Sequence, residues 1–198
     1  LENEHRLQIG VTTLAEYRSV LRAHLIPAFG CLQLNQLTRE RIQVFCSEKL
    51  DAGLSPGRIH FIHAILSAAL TSAVERDVLV KNPCSGVVLP RIGRKKPNVL
   101  NQEECTRLIE AAKGRRLWFL ILVAITTGAR LGELLALQWG DIDLKNVRIH
   151  IHRSVSYVNG LGYVEHDTKS QSGARRVILS QVVIDGIVEQ QAYIDQLR

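Results

Sequence analysis

The sequence lacks the features that mark a secreted, metal-bound or membrane-inserted protein. Its four cysteines, Cys31, Cys46, Cys84 and Cys105, lie far apart and form no Cys-x-x-Cys. That spacing excludes a disulfide scaffold or a zinc knuckle and favours reduced thiols in a cytoplasmic protein. No histidine cluster completes a metal site with them, so no metal is expected. The longest apolar run, Leu117 to Thr126, is much shorter than the ~20 residues of a membrane-spanning helix. There is no signal peptide, internal repeat or low-complexity tract. The chain starts without Met and stops inside a helical pattern, so both ends are expected to be cuts in a longer protein.

What is present is ordinary globular composition with a basic bias. The 198 residues are 46% hydrophobic and carry a formal net charge of +6, with a pI near 9.4. This length suits two modest domains or one large one. The charge is uneven: residues 1–90 hold 9 Lys+Arg against 8 Asp+Glu, whereas residues 91–198 hold 16 against 11. A second half with net +5 favours a polyanionic partner.

In the first 83 residues the apolar spacing is helical. Leu14, Tyr17, Leu21 and Leu25 form one stripe, which Pro27 and Gly30 should end. Thr38 caps a second helix with Ile42, Phe45 and Cys46 inward, and Gly53 stops it. Ser55-Pro56 is an N-cap followed by an N1 proline. It opens a third helix with Ile59, Ile62, Leu66, Ala69, Leu70 and Ala73 on its buried face. A fourth helical piece is expected around Ala73–Leu79, ending at Asn82-Pro83. Residues 84–99 then read as a linker: Pro90, Gly93 and Pro97 break structure, and Arg91, Arg94, Lys95 and Lys96 make it basic.

From Asn101-Gln-Glu-Glu104 the pattern is a capping box opening a helix with Cys105, Leu108, Ile109 and Ala112 inward. Trp118 to Ile125 is apolar on every side and predicts a buried central helix. After Trp139 the period changes to two. Val147, Ile149 and Ile151 alternate with Arg148, His150 and His152, and Asn159-Gly160 marks a hairpin turn. Strands near Gly162–Thr168 and Arg175–Leu179 complete an expected three-stranded antiparallel sheet. Ser180 caps a last helix with Val183, Ile184, Ile187, Val188 and Ile194 inward. The expected class is α+β, mostly α: a small all-α domain, then a mixed domain.

Between the central helix and the sheet lies Thr126-Thr-Gly-Ala-Arg130-Leu-Gly-Glu133-Leu-Leu-Ala-Leu-Gln-Trp139-Gly-Asp141-Ile-Asp143. Arg130 at a helix start is electrostatically odd, because that end carries partial positive charge. Spacing leaves two readings open: Arg130 leans on Glu133, three residues on, or it waits beside free backbone N–H groups for a phosphate.

This stretch closely resembles the first catalytic-arginine box of the tyrosine recombinases, the phage-type integrases. The resemblance extends over nearly the whole chain. It implies that Arg130 grips a scissile DNA phosphate and that Glu133 is the acidic residue bracing it. Thr168-Lys169-Ser170-x-x-Gly173-x-Arg175-Arg176 resembles the family's β-hairpin lysine motif, which makes Lys169 the general acid for the leaving 5′ oxygen. Residues 1–83 resemble the family's SAM-like core-binding domain, half of a clamp around DNA, in Tyr17…Leu25-Ile-Pro27…Gly30 and Leu54-Ser-Pro. Residues 100–198 then form the first part of its catalytic domain. Arg91, Arg94, Lys95, Lys96, Arg175 and Arg176 are the expected DNA contacts.

The resemblance further implies double-stranded DNA as partner, a tetramer on DNA for the full-length protein, no membrane, and neither metal nor nucleotide cofactor. It implies a bacterial, DNA-associated location. The family's His-x-x-Arg and nucleophilic tyrosine boxes are expected beyond residue 198. His150-Ile-His-Arg153 has the right spacing but precedes Lys169 and lies on a strand. Tyr17, Tyr157, Tyr163 and Tyr193 lack the nucleophile's context. The chain alone is therefore expected to bind DNA without cutting it. A non-catalytic DNA-binding module, either a degraded integrase or a short regulator, is the alternative.

Overall fold

The structure, a computed structural model, describes residues 9–93, 96–167 and 173–196. It divides into two compact units, Leu1–Lys96 and Pro97–Arg198.

The first unit is all helical among its described residues. Its first helical stretch runs as Val11–Val20 (α1), a π-helical turn at Leu21–Leu25, and Ile26–Phe29 (α2). Pro27 therefore does not end the helix. Proline lacks the N–H that would satisfy the carbonyl four residues back, and its ring crowds that carbonyl. A wider turn relieves both, and the Ile26 N–H bonds the Leu21 carbonyl in the π pattern. Arg39–Asp51 (α3) starts where the Thr38 hydroxyl accepts from the Arg41 N–H. Pro56–Glu75 (α4) starts where Ser55 does the same for Arg58.

By length and composition α4 could cross a membrane. In this unit it supplies more of the buried core than any other described helix. Ile59, Ile62, Ile65, Leu66 and Leu70 are buried against Val20, Leu25, Leu37, Ile42, Phe45 and Cys46. Tyr17 joins this core edge-to-face with Phe61.

The expected fourth helix is absent. The chain leaves α4 at Arg76, and Asp77 takes a left-handed conformation with φ of 58°. Asn82 holds the loop instead. Its Nδ2 donates to the Ser67 carbonyl and to the Ser67 and Thr71 hydroxyls, and its Oδ1 accepts from the Cys84 N–H. The first part of the segment read as linker also packs here. Cys84 is buried, Val87 and Leu89 lie against the core, and Gln43 bonds both backbone groups of Val88. Their apolar side chains outweigh the loop-like composition around them.

The second unit opens with Gln102–Ala112 (α5). Its capping box is formed: Asn101 Oδ1 accepts from the Glu104 N–H at 2.9 Å, and Glu104 Oε2 from the Asn101 N–H at 2.8 Å. Trp118–Thr127 (α6) and Leu131–Leu135 (α7) follow, then a 3-10 turn at Trp139–Asp141. The strands are Ile142–Asp143 (β1), Arg148–Ile151 (β2), Arg153–Val158 (β3), Gly162–Asp167 (β4) and Arg175–Ile178 (β5), and Gln181–Gln196 is α8. Trp118, Leu122, Val123, Leu134, Ile149, Ile151, Leu179, Val183 and Ile187 form the core. The helix α8 reaches α6 closely at Gly186, where a Cβ would stand 2.8 Å from Leu122 Cδ2. Leu108 and Val188, both expected inward, are exposed.

A three-stranded antiparallel sheet is present, but with different members than expected. It has the order β1-β2-β5, with Ile149 opposite both Ile142 and Val177. The strands flanking Asn159-Gly160 form a separate hairpin, β3-β4. His152 is the single residue between β2 and β3, and the two strands on either side of it belong to different sheets. Replacing Asn82 by Ala removes all of that residue's side-chain bonds to the loop and to α4 at once. We expect urea unfolding to show a loss of about 2 kcal/mol; a loss under about 0.5 kcal/mol would mean that the loop is held by its apolar contacts alone.

Candidate functional site

The site begins where α6 ends. Gly128 adopts the left-handed conformation, φ 62°, that closes a helix without steric cost. The Thr127 hydroxyl donates to the Val123 carbonyl at 2.6 Å and accepts from the Ala129 N–H at 3.2 Å. The turn is thus fixed from both sides, and it delivers Arg130 in extended conformation as the N-cap of α7. A guanidinium cannot accept a hydrogen bond, so Arg130 cannot cap with its side chain as Ser or Asp would. Glu133 compensates: its Oε2 accepts from the Arg130 N–H at 2.9 Å.

Glu133 is the organising charge. Only 3% of its side chain is exposed. Arg130 Nη1 donates to its Oε1 at 3.0 Å. Arg175, from β5, donates to Oε2 through Nη2 at 2.8 Å and to Oε1 through Nη1 at 3.3 Å. The Arg175 bonds, followed by those from Arg130, outweigh burial and hold the carboxyl down at about 2. Arg175 is in turn raised above its ordinary value by Glu133. The Arg130 side chain, by contrast, is 80% exposed. The two readings left open by spacing are therefore compatible: one guanidinium nitrogen leans on Glu133 while most of the group faces solvent.

Three further residues of the same stretch are structural. A Cβ on Gly132 would stand 2.6 Å from Ser154 Oγ and 2.7 Å from the Val155 carbonyl oxygen. Only glycine lets α7 lie this close to β3. Asp141, nearly buried, accepts from the Gln138 N–H and Arg153 Nη2 and bonds His152 Nε2. Burial alone would raise its pKa, but these partners outweigh it and the net shift is downward. His152 and Arg153 are thus engaged on Asp141. Asp143 closes the β1–β2 turn through Asn146.

Of the residues singled out from the sequence, the structure brings Arg130, Glu133 and Arg175 together. Arg175, expected to face DNA, is turned inward onto Glu133, because it shares the inner face of β5 with Val177. Arg176 lies on the opposite, exposed face, and Arg91 and Lys96 are exposed. Lys169, Arg94 and Lys95 lie outside the described residues. Tyr157 and Tyr163 pair edge-to-face across the hairpin, and both are exposed, as is Tyr193. The engagement of Arg175 and Asp141 escaped sequence reasoning. The alternation Arg175, Val177, Leu179 was the available signal for the first.

Residues 98–189 match the Phage integrase family, and residues 1–50 match the Phage integrase N-terminal SAM-like domain. The chain is 30% identical over 167 residues to the ICEBs1 integrase of Bacillus subtilis, covering 83% of this chain and 45% of that protein. It is 34% identical over 124 residues to a XerC-like tyrosine recombinase of Caldanaerobacter subterraneus, covering 60% of this chain and 32% of that protein. The chain thus spans about a third to a half of the length of the curated relatives it matches. Its fold is similar to that of the Tn1549 transposon integrase in complex with a circular intermediate DNA, with a TM-score of 0.76 and 22% identity over 90% of this chain and 58% of that one. A lambda integrase dimer bound to a COC′ core site has a TM-score of 0.64, with 20% identity over 82% of this chain and 57% of that one.

Two outcomes follow from the geometry. Gly132→Ala drives a methyl into the Val155 carbonyl and should destabilise the second unit by about 2 kcal/mol, read by urea unfolding. A neutral result would mean that α7 and β3 separate without cost. The second concerns acid. Glu133 has a folded pKa of about 2 against an ordinary 4.5. Its contribution, on the order of 3 kcal/mol, is complete above pH 4.5 and is lost as pH falls towards 2. Between pH 6 and pH 3 the native chain should lose about 2 kcal/mol more than Glu133→Gln. Parallel pH profiles for the two would contradict an ionised, buried Glu133.

Proposed function

The chain belongs to the phage integrase family, the tyrosine recombinases, and we propose that its residues form the DNA-gripping part of a site-specific recombinase. The observation that carries this reading is Arg130: an arginine whose side chain is 80% exposed, fixed by one guanidinium nitrogen to a buried carboxylate. A planar cation preorganised in this way can bond a phosphate without further ordering. Here it receives the scissile phosphate and offsets the charge that builds on its oxygens as phosphorus is attacked. Glu133 orients it.

The full protein would cut and rejoin strands by covalent catalysis. A tyrosine hydroxyl attacks phosphorus, the 5′ oxygen leaves, and the strand end is held as a 3′-phosphotyrosyl ester. Lys169 donates the proton that the departing alkoxide needs. The bond energy is conserved in the ester, so the reaction needs neither metal nor nucleotide. Arg91, Arg94, Lys95 and Lys96 run along the duplex backbone as positioning contacts that carry no sequence information. The DNA in the solved relatives named above and the net +5 of residues 91–198 support duplex DNA as the partner. The full protein would act as a tetramer on DNA in the bacterial cytoplasm.

Residues 1–198 should bind duplex DNA with a log–log dependence on salt. Replacing Arg94, Lys95 and Lys96 by Ala should weaken binding on all sequences alike and flatten that slope by up to about 0.9 per lost phosphate contact. An unchanged slope would show these cations to be solvated chain. The same residues should form no covalent adduct with a suicide substrate, because Arg130 and Lys169 supply no attacking oxygen. An adduct abolished by Tyr157→Phe, Tyr163→Phe or Tyr193→Phe would place the nucleophile within this chain.

A further inference from the structure

We infer that Arg175 is a positioning residue: by occupying both oxygens of Glu133 it keeps the Arg130 guanidinium available to a DNA phosphate. This inference rests on the reading of Arg130 as a phosphate ligand.

The geometry is a question of donors and acceptors. A carboxylate offers about four lone-pair sites. Glu133 receives four N–H contacts, two from Arg175 at 2.8 and 3.3 Å and two from Arg130 at 2.9 and 3.0 Å. Of the Arg130 pair, one comes from the backbone and only one from the guanidinium. Arg175, 31% exposed, makes the two-pronged contact. Its Nη1 also reaches the Gly173 carbonyl at 3.4 Å. The three charges sum to +1, and Arg130, 80% exposed against 31% for Arg175, is the more exposed of the two cations.

Without Arg175 the balance changes. Glu133 would remain buried with one cation to neutralise it, and an unpaired buried charge is strongly unfavourable. Arg130 could answer by turning its fork onto both Glu133 oxygens, since guanidinium geometry matches a carboxylate bidentately. It would then be neutralised in place, and a phosphate would compete with Glu133 for the same donors. Arg175 therefore acts on DNA through Arg130, without touching it.

The test is a binding cycle on the 198-residue chain with a labelled random-sequence duplex, with thermal unfolding recorded for each variant. Arg130→Ala should weaken binding about fivefold, the scale of one exposed ionic contact. Arg175→Ala should weaken it equally, and the double variant no further. Adding Glu133→Gln to Arg175→Ala should restore affinity to within about twofold of the native chain, because a neutral amide no longer claims Arg130. That restoration should vanish when Arg130→Ala is added. Should Arg175→Ala not fold, Arg175→Lys carries the same comparison, since an ammonium lacks the planar fork that meets both oxygens bidentately. Independent losses from Arg130→Ala and Arg175→Ala, with no rescue by Glu133→Gln, would make Arg175 a direct phosphate contact and overturn the inference. Unchanged binding in Arg175→Ala would also overturn it. Unchanged binding in Arg130→Ala would instead remove the functional reading beneath it, and the inference with it.

Discussion

A buried carboxylate shared by two arginines is the interaction on which the second unit's site depends. Glu133 joins the start of α7 to β5, which are far apart in sequence, and sets the orientation of the exposed Arg130 guanidinium. Burying an ion is costly unless geometry and hydrogen bonding repay it. Here nearly every lone pair is engaged, and the carboxyl stays ionised at ordinary pH. The benefit is directional more than energetic, because a saturated Glu133 asks little of the Arg130 guanidinium.

The surrounding sequence is largely a means of placing that carboxylate. Thr127 and Gly128 end α6 in a fixed turn. Gly132 lets α7 approach β3, and Leu134, the next residue after Glu133, anchors the helix in the core. Asp141 ties the following 3-10 turn to His152 and Arg153 at the point where β2 gives way to β3. Ile142 and Asp143 begin the sheet whose third strand carries Arg175. A stretch that reads as one catalytic motif therefore divides by physical role: Arg130 is its exposed cation, and Thr127, Gly128, Gly132, Glu133, Leu134 and Asp141 build or brace its support.

Much of this architecture could be read from sequence where local rules act without competition. The Thr38, Ser55 and Asn101 caps and the Asn159-Gly160 turn all form, because each satisfies backbone groups within a few residues. Legibility failed where distant partners decide. Pro27 signals a stop, yet a π turn carries the helix through it. The fourth helix gave way to a loop held by Asn82, whose partners lie on α4. The strand pairing differs from the expected one because the short β1, which the period-two pattern does not reach, takes an edge of the sheet, while β3 pairs with β4 on its own. Arg175 and Arg176 are adjacent and alike in sequence, and only the inner register of β5 separates the brace from the exposed cation.

The central claim is that Arg130 meets a single phosphate, and the most direct measurement is methylphosphonate interference. Individual phosphates of a duplex that the chain selects from a random pool would be replaced, one at a time, by neutral methylphosphonates, and affinity measured for the native chain and for Arg130→Ala. One position should weaken the native chain while leaving Arg130→Ala indifferent, and the other positions should affect both alike. Identical profiles for the two proteins would contradict the claim, leaving Arg130 as the exposed half of an ion pair with Glu133.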